Sequence, residues 1–181
     1  TSLSEKLDPE VVVNLLNQYL TVMTEIIFRH GGTVDKFEGD GILVFFGAPQ
    51  YHENHPEQAV RTAIEMRDRL DELQDLWQER SDEPLRIGVA IHTGEVMVGN
   101  IGSSRRMDYT VIGDTVNLAA RLQDLTKEYG ASVLISGTTR ERVKHMSRLR
   151  SLGSVDIRGR QQQVDLYEVE GVASESDIPA H

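Results

Sequence analysis

The chain has 181 residues, the usual size of one domain, and its 39% apolar and 27% charged residues are those of an ordinary globular protein; collagen-like and wholly disordered readings are excluded. With zero cysteines, thiol catalysis, disulfides and cysteine-ligated zinc or iron–sulfur are excluded too, an absence that fits a reducing cytoplasm. Nineteen basic against 29 acidic residues leave a net charge of −10, the reverse of the basic excess that binds a nucleic-acid polymer, although a local basic site for a small anion is compatible with it.

Asp8-Pro9 is a helix start, a carboxylate N-cap followed by proline at the first helical position. Val12, Leu16, Tyr19, Met23 and Ile27 then repeat at helical spacing until Gly31-Gly32 stop the helix. Residues 33–38 and 42–46 read as strands joined by the Gly39-Asp40-Gly41 turn. Pro56 opens a second long helix with Ala59, Val60, Ala63, Ile64, Met66, Leu70 and Leu73 on its apolar side. After a break at 81–84, residues 85–91 and 95–101 predict a hairpin around His92-Thr93-Gly94, followed by a basic loop, 102–107, and an extended piece, 108–112. A third helix starts near Gly113 with Val116, Ala119, Ala120, Leu122 and Leu125 inside. A strand at 133–135, a short helix at 138–144 and a closing hairpin of 154–157 with 164–169 complete the pass, and 171–181 reads as a tail. The longest apolar run, Ile42 to Phe46, is too short to span a bilayer, so no direct membrane contact is expected of this domain.

This order predicts an α+β fold: a ferredoxin-like βαββαβ core with additional strands and helices, lacking its first strand. That strand is central in the topology, and the chain opens at Thr1 without methionine, so an N-terminal truncation is expected. The domain is expected over 1–170.

The residues able to carry chemistry are few. Asp40, between Gly39 and Gly41, is either a carboxylate placed to hold a hard cation or the ordinary centre of a tight hairpin. Lys36 and Glu38 alternate onto one strand face, as a surface ion pair or as a ligand donor beside it. Asn117 and Arg121 sit one turn apart near the start of the third helix, where an arginine neutralises phosphate charge or simply faces water. Arg105 and Arg106 lie in one polar turn, and Arg158 and Arg160 in another. The six histidines show no metal-ligand spacing, and no Walker motif or Gly-x-Ser-x-Gly elbow occurs.

Together these blocks carry more than each alone. Thr33-Val34-Asp35-Lys36-Phe37-Glu38-Gly39-Asp40-Gly41 precedes Phe46-Gly47-Ala48-Pro49, then Ile91-His92-Thr93-Gly94-Glu95, then Val98-Gly99-Asn100-Ile101-Gly102. Tyr109-Thr110-Val111-Ile112-Gly113-Asp114-Thr115-Val116-Asn117-Leu118-Ala119-Ala120-Arg121-Leu122 closes the set. In this order and spacing the chain resembles the class III nucleotide cyclase catalytic domain of the bacterial adenylate cyclase type.

The resemblance implies a homodimer that converts ATP to 3′,5′-cyclic AMP and pyrophosphate with two Mg²⁺ or Mn²⁺ ions held by two aspartates. Asp40 matches the second aspartate; the first would lie upstream of residue 1, and Thr1 and Ser2 would continue a phosphate-cradling turn. Lys36 matches the residue that reads the purine, and lysine there goes with ATP. Its partner position holds Thr110, as in a subgroup often stimulated by bicarbonate, and a hydroxyl can accept from the adenine amine or donate. Asn117 matches the residue that orients the ribose, Arg121 the one that stabilises charge at the α-phosphate, and Arg160 and Arg105 basic residues on the terminal phosphates. One chain would supply the aspartates and Arg105, its partner Lys36, Thr110, Asn117, Arg121 and Arg160. An N-terminal sensor or regulatory domain and a cytoplasmic location are expected of the intact protein. Guanylate cyclase activity, disfavoured by Lys36, and a non-catalytic nucleotide-binding dimerisation domain are the alternatives. A diguanylate cyclase is discounted, because the hairpin reads Glu38-Gly39-Asp40-Gly41.

Overall fold

The computed structural model describes residues 8–78, 84–157 and 162–173. Asp8 accepts from the Glu10 amide at 2.9 Å and Pro9 follows it, so α1 (Pro9–Arg29) starts where the sequence signal lies. Strands β1 (Thr33–Glu38) and β2 (Gly41–Phe45) form an antiparallel hairpin, and α2 (His55–Gln78) follows. Next come β3 (Val89–Ile91), β4 (Met97–Ser103), β5 (Arg106–Ile112), α3 (Asp114–Tyr129), β6 (Val133–Ser136), α4 (Gly137–Val143), β7 (Ser147–Val155) and β8 (Val164–Val172).

The strands form three sheets: β1–β2, β4–β5, and a central sheet in the order β3-β6-β8-β7. All four residues of β6 are buried, as befits a strand covered on both faces. Val133 and Ile135 pack with Val60, Ala63 and Ile64 of α2, whereas Leu134 packs with Leu118 and Leu122 of α3. A third cluster joins Met23, Ile26 and Ile27 of α1 to Met66 and Leu70 of α2, with Val34, Ile42 and Val44 of the hairpin against it. By length and apolarity α1 could cross a bilayer; here its C-terminal half packs against α2 and the hairpin. Among the described residues β2 pairs only with β1, and β3 pairs on one side with β6. Four helices and eight strands among the described residues bear out the α+β expectation.

Several local expectations change. Residues 85–91 and 95–101 do not pair: β3 runs parallel to β6 through the α3 crossover, and β4 pairs with β5. Contacts with α3 and α4 hold the 92–96 connection away from a hairpin path. Thr115 Oγ1 donates to the Glu95 carbonyl at 2.7 Å, and Thr138 Oγ1 donates to the Thr93 carbonyl at 3.0 Å. Of 85–91 only the last three residues are strand; Leu85 donates instead to the Gln74 side-chain oxygen at 3.1 Å. The expected loop at 102–107 is a two-residue turn that lets β5 begin at Arg106. In α3 the buried residues are Leu118, Leu122 and Thr126, while Ala120 is exposed. The closing pair is longer than expected, Ser147–Val155 with Val164–Val172, so β8 continues two residues past 170.

Two close contacts generate predictions. A Cβ added at Gly88 would lie 2.0 Å from Thr126 Oγ1 and 2.7 Å from its Cβ, because α3 crosses β3 there without clearance. Gly88→Ala is expected to lower stability by about 1–3 kcal/mol in urea unfolding, and adding Thr126→Ala to recover part of that. The Tyr19 phenol, on α1, is pushed up to about 12 by burial and then by the Asp40 carboxylate. Its folded value lies above the unfolded value of about 10, so its contribution to stability is complete below pH 10 and is lost as pH rises towards 12. Unfolding midpoints measured across pH 10 to 12 should fall less steeply in Tyr19→Phe than in the natural protein.

Candidate functional site

The site begins with an irregularity in β1. Val34 pairs with Val44 and Lys36 with Leu43, so Asp35 is the extra residue of a β-bulge. The bulge turns the Asp35 side chain inward until it is only 2% exposed. A carboxylate so buried must be hydrogen-bonded, and its partners come from β5. The Thr110 hydroxyl donates to Asp35 Oδ2 at 2.5 Å, and the Val111 amide donates to the same oxygen at 3.0 Å. Lys36 Nζ stands 3.6 Å from Asp35 Oδ1 with its side chain about half exposed. Thr110 is itself buried, and one residue earlier Tyr109 meets Phe45 of β2, ring centroids 5.9 Å apart.

The structure thus brings together Lys36 and Thr110, which are far apart in sequence, and Asp35 is what joins them. In the sequence Asp35 stands out only as part of a motif. A signal was available: aspartate is disfavoured in strand interiors, so one within a run of Val and Phe asks for a partner.

Asn117 and Arg121 project from the exposed side of α3, one turn apart, opposite the buried Leu118 and Leu122. Gly113, at φ 145°, turns the chain from β5 into this helix, so Thr110 and Asn117 are separated by one tight corner. Arg105 occupies the tip of the β4–β5 hairpin, its amide donating to Ser103 Oγ at 3.3 Å. It is five residues from Thr110 along β5, roughly 17 Å at the usual rise. Asp40 lies exposed in the β1–β2 turn, after Gly39 at φ 64° and four residues from Lys36. Lys36 and Thr110 therefore meet at Asp35, and Asn117 follows the Gly113 corner, while Asp40 and Arg105 stand at the ends of two hairpins. Thr1, Ser2 and Arg160 lie outside the described residues.

Asp40 offers the hard oxygen donor that Mg²⁺ or Mn²⁺ prefers, and among the described residues no three His, Asp or Glu side chains gather into a cage. An exposed single carboxylate suits a cation that arrives with substrate phosphates and keeps its waters.

The Adenylate and Guanylate cyclase catalytic domain family matches residues 1–171. Among relatives, Adenylate cyclase 1 of Rhizobium meliloti (strain 1021) is 38% identical over 172 residues, 95% of this chain and 26% of that protein. The Adenylate cyclase of Anabaena cylindrica is 35% identical over 93% of this chain and 34% of its own length. The chain thus spans about a quarter to a third of these curated relatives. Among solved structures, the adenylyl cyclase CyaB from P. aeruginosa superposes with a TM-score of 0.88 at 38% identity, covering 98% of this chain and 90% of that one. The guanylyl cyclase Cya2 superposes at 0.84 and 39%, covering 98% and 89%. Backbone and identity therefore do not distinguish the two bases; only the side chains of the site can. From the ordered sequence blocks, the fold and these matches together, the chain belongs to the adenylate and guanylate cyclase catalytic-domain family.

Proposed function

We propose that this domain cyclises ATP to 3′,5′-cyclic AMP and pyrophosphate at sites shared between two copies. The observation that carries the choice of base is the Lys36–Asp35–Thr110 grouping. The Lys36 ammonium can only donate, and adenine N1 accepts, whereas guanine presents an N1–H there. Thr110, beside it, meets the exocyclic amine.

The reaction is an internal displacement. The ribose 3′-oxygen forms a bond to the α-phosphorus, the bond from that phosphorus to the bridging oxygen breaks, and the 3′-hydroxyl proton is released. Asn117 holds the ribose so that its 3′-oxygen points at the phosphorus. Arg121, one turn further, donates to α-phosphate oxygens as charge builds on them. Arg105 and Arg160 hold the departing pyrophosphate, and Thr1 and Ser2 the phosphates beside it. Divalent ions bound at Asp40 would neutralise phosphate charge and acidify the 3′-hydroxyl.

Sharing between copies is supported by the separation of Asp40 and Arg105 from Lys36, Thr110 and Asn117 within one chain. Exposed apolar residues surround the same region: Phe37 on β1, Met97 and Ile112 opposite each other on β4–β5, and Met107 and Tyr109. Such a patch fits a partner surface, and a second copy brings the missing groups to each site. The longer relatives fit an additional regulatory domain in the intact protein, which we place in the cytoplasm.

Two experiments test this reading in the full-length protein. Wild type should turn over ATP at least about tenfold better than GTP in kcat/KM, and Lys36→Glu should shift that ratio towards GTP by a similar factor. Equal loss with both nucleotides would remove Lys36 from the base site. Separately, Asp40→Asn and Arg121→Ala should each be inactive. Mixed in equal amounts, half of the dimers are hybrids with one intact site of two, so activity should return to about a quarter of wild type. Hybrid dimers that stay inactive would sink the shared site.

A further inference from the structure

The Thr110 hydroxyl carries one proton, and the structure fixes where it goes. Asp35 Oδ2 accepts from the Val111 amide, which can only donate, so this oxygen acts as an acceptor. The other oxygen, Oδ1, faces the Lys36 ammonium, also a donor. The carboxylate is therefore surrounded by donors on both oxygens. At 2.5 Å from Oδ2, Thr110 Oγ1 must donate to it as well. Two lone pairs remain on Oγ1, and the hydroxyl could donate elsewhere only by breaking its bond to a carboxylate whose side chain is 2% exposed.

We infer that Asp35 is a specificity-determining positioning residue: by taking the Thr110 proton it converts an ambivalent hydroxyl into an obligate acceptor, so that the site selects a purine bearing an amine at C6. The inference rests on the assignment of Lys36 and Thr110 to the base proposed above, and it deepens that assignment. A free threonine would rotate to donate to the C6 oxygen of guanine; this one presents a lone pair to it. Asp35 touches no substrate. It acts through Thr110 and through the ammonium of Lys36, which it holds on the same side of β1. The β-bulge makes this possible, because only the unpaired extra residue can turn across towards β5 while Lys36 keeps its ladder position opposite Leu43.

The test uses full-length protein, kcat/KM for ATP and GTP, and dissociation constants for 3′-deoxy-ATP and 3′-deoxy-GTP, which lack the attacking hydroxyl. In Asp35→Asn an amide NH₂ can face Thr110, freeing its proton for a C6 oxygen. The preference for the adenine over the guanine nucleotide should fall about tenfold or more in both kcat/KM and affinity, with GTP retained or gained. Thr110→Val should lower the ratio by itself, and adding Asp35→Asn to it should then change the ratio less than about twofold. An Asp35→Asn protein that loses both nucleotides equally has only a structural defect, and that result overturns the inference. So does an Asp35→Asn effect undiminished in the Thr110→Val background. Should Asp35→Asn fail to fold, wild type decides: purine riboside triphosphate keeps N1 but lacks the C6 amine, and should be used at least about tenfold less well than ATP. Equal use of the two overturns the inference, as does a Thr110→Val protein that still tells them apart. Failure of the base-site reading itself shows separately, as a Lys36→Glu ratio equal to wild type, and removes both proposals.

Discussion

A buried carboxylate cannot be left without donors, and satisfying Asp35 ties this domain together at the point where it is otherwise divided. The β1–β2 hairpin and the β4–β5 hairpin belong to separate sheets. Asp35 spans them with two hydrogen bonds to β5, and the Phe45–Tyr109 ring contact lies one residue away on the same strand. Removing either partner would strand a desolvated charge, so the spacing of the two hairpins is held by a penalty as much as by an attraction. The positions of Lys36 and Thr110 relative to one another follow from it.

Away from this bridge the architecture divides labour between the central sheet and two hairpins. The central sheet is covered by α2 and α4 on one face and by α3 on the other, which makes it the stable platform. At the sheet end, His92 Nδ1 meets Ser136 Oγ at 2.8 Å, and Thr93 and Thr139 share a hydroxyl contact at 2.9 Å. These small polar groups satisfy one another where β3 and β6 stop, and they fix the connection leading towards the start of α3. Asn117 and Arg121 are thereby anchored through α3 to the core, whereas Arg105 and Asp40 depend on the ends of strands.

Much of this was legible in the sequence because it is local. Asp8-Pro9 and Gly31-Gly32 bracket α1, and glycines around Asp40 mark the first turn, since caps and turns are decided by nearest neighbours. Pairing was less legible. The His92-Thr93-Gly94 segment has the composition of a hairpin turn, yet its flanking strands do not pair with each other: β3 finds β6 beyond α3, and β4 finds the next strand, β5. In α3, Ala120 was counted inside from apolarity alone, but the helix places Leu118 there instead. Site residues were readable as a set of motif blocks, while Asp35 was not: its role exists only once β1 bulges and β5 arrives beside it.

The bulge has one more consequence, concerning chain length rather than chemistry. Side chains on a strand alternate faces, so each added or lost residue reverses the facing of everything beyond it. Here Thr33 and Val34 keep one alternation, Asp35 resets it, and Lys36 to Glu38 follow the other up to the Asp40 turn. The stretch from Val34 to Asp40 is thus a parity-locked unit. Its residues can be exchanged one at a time, but losing the extra residue at Asp35 would put Lys36 on the face that Asp35 now occupies. Length changes are therefore costly between Val34 and Lys36, whatever freedom individual substitutions retain there.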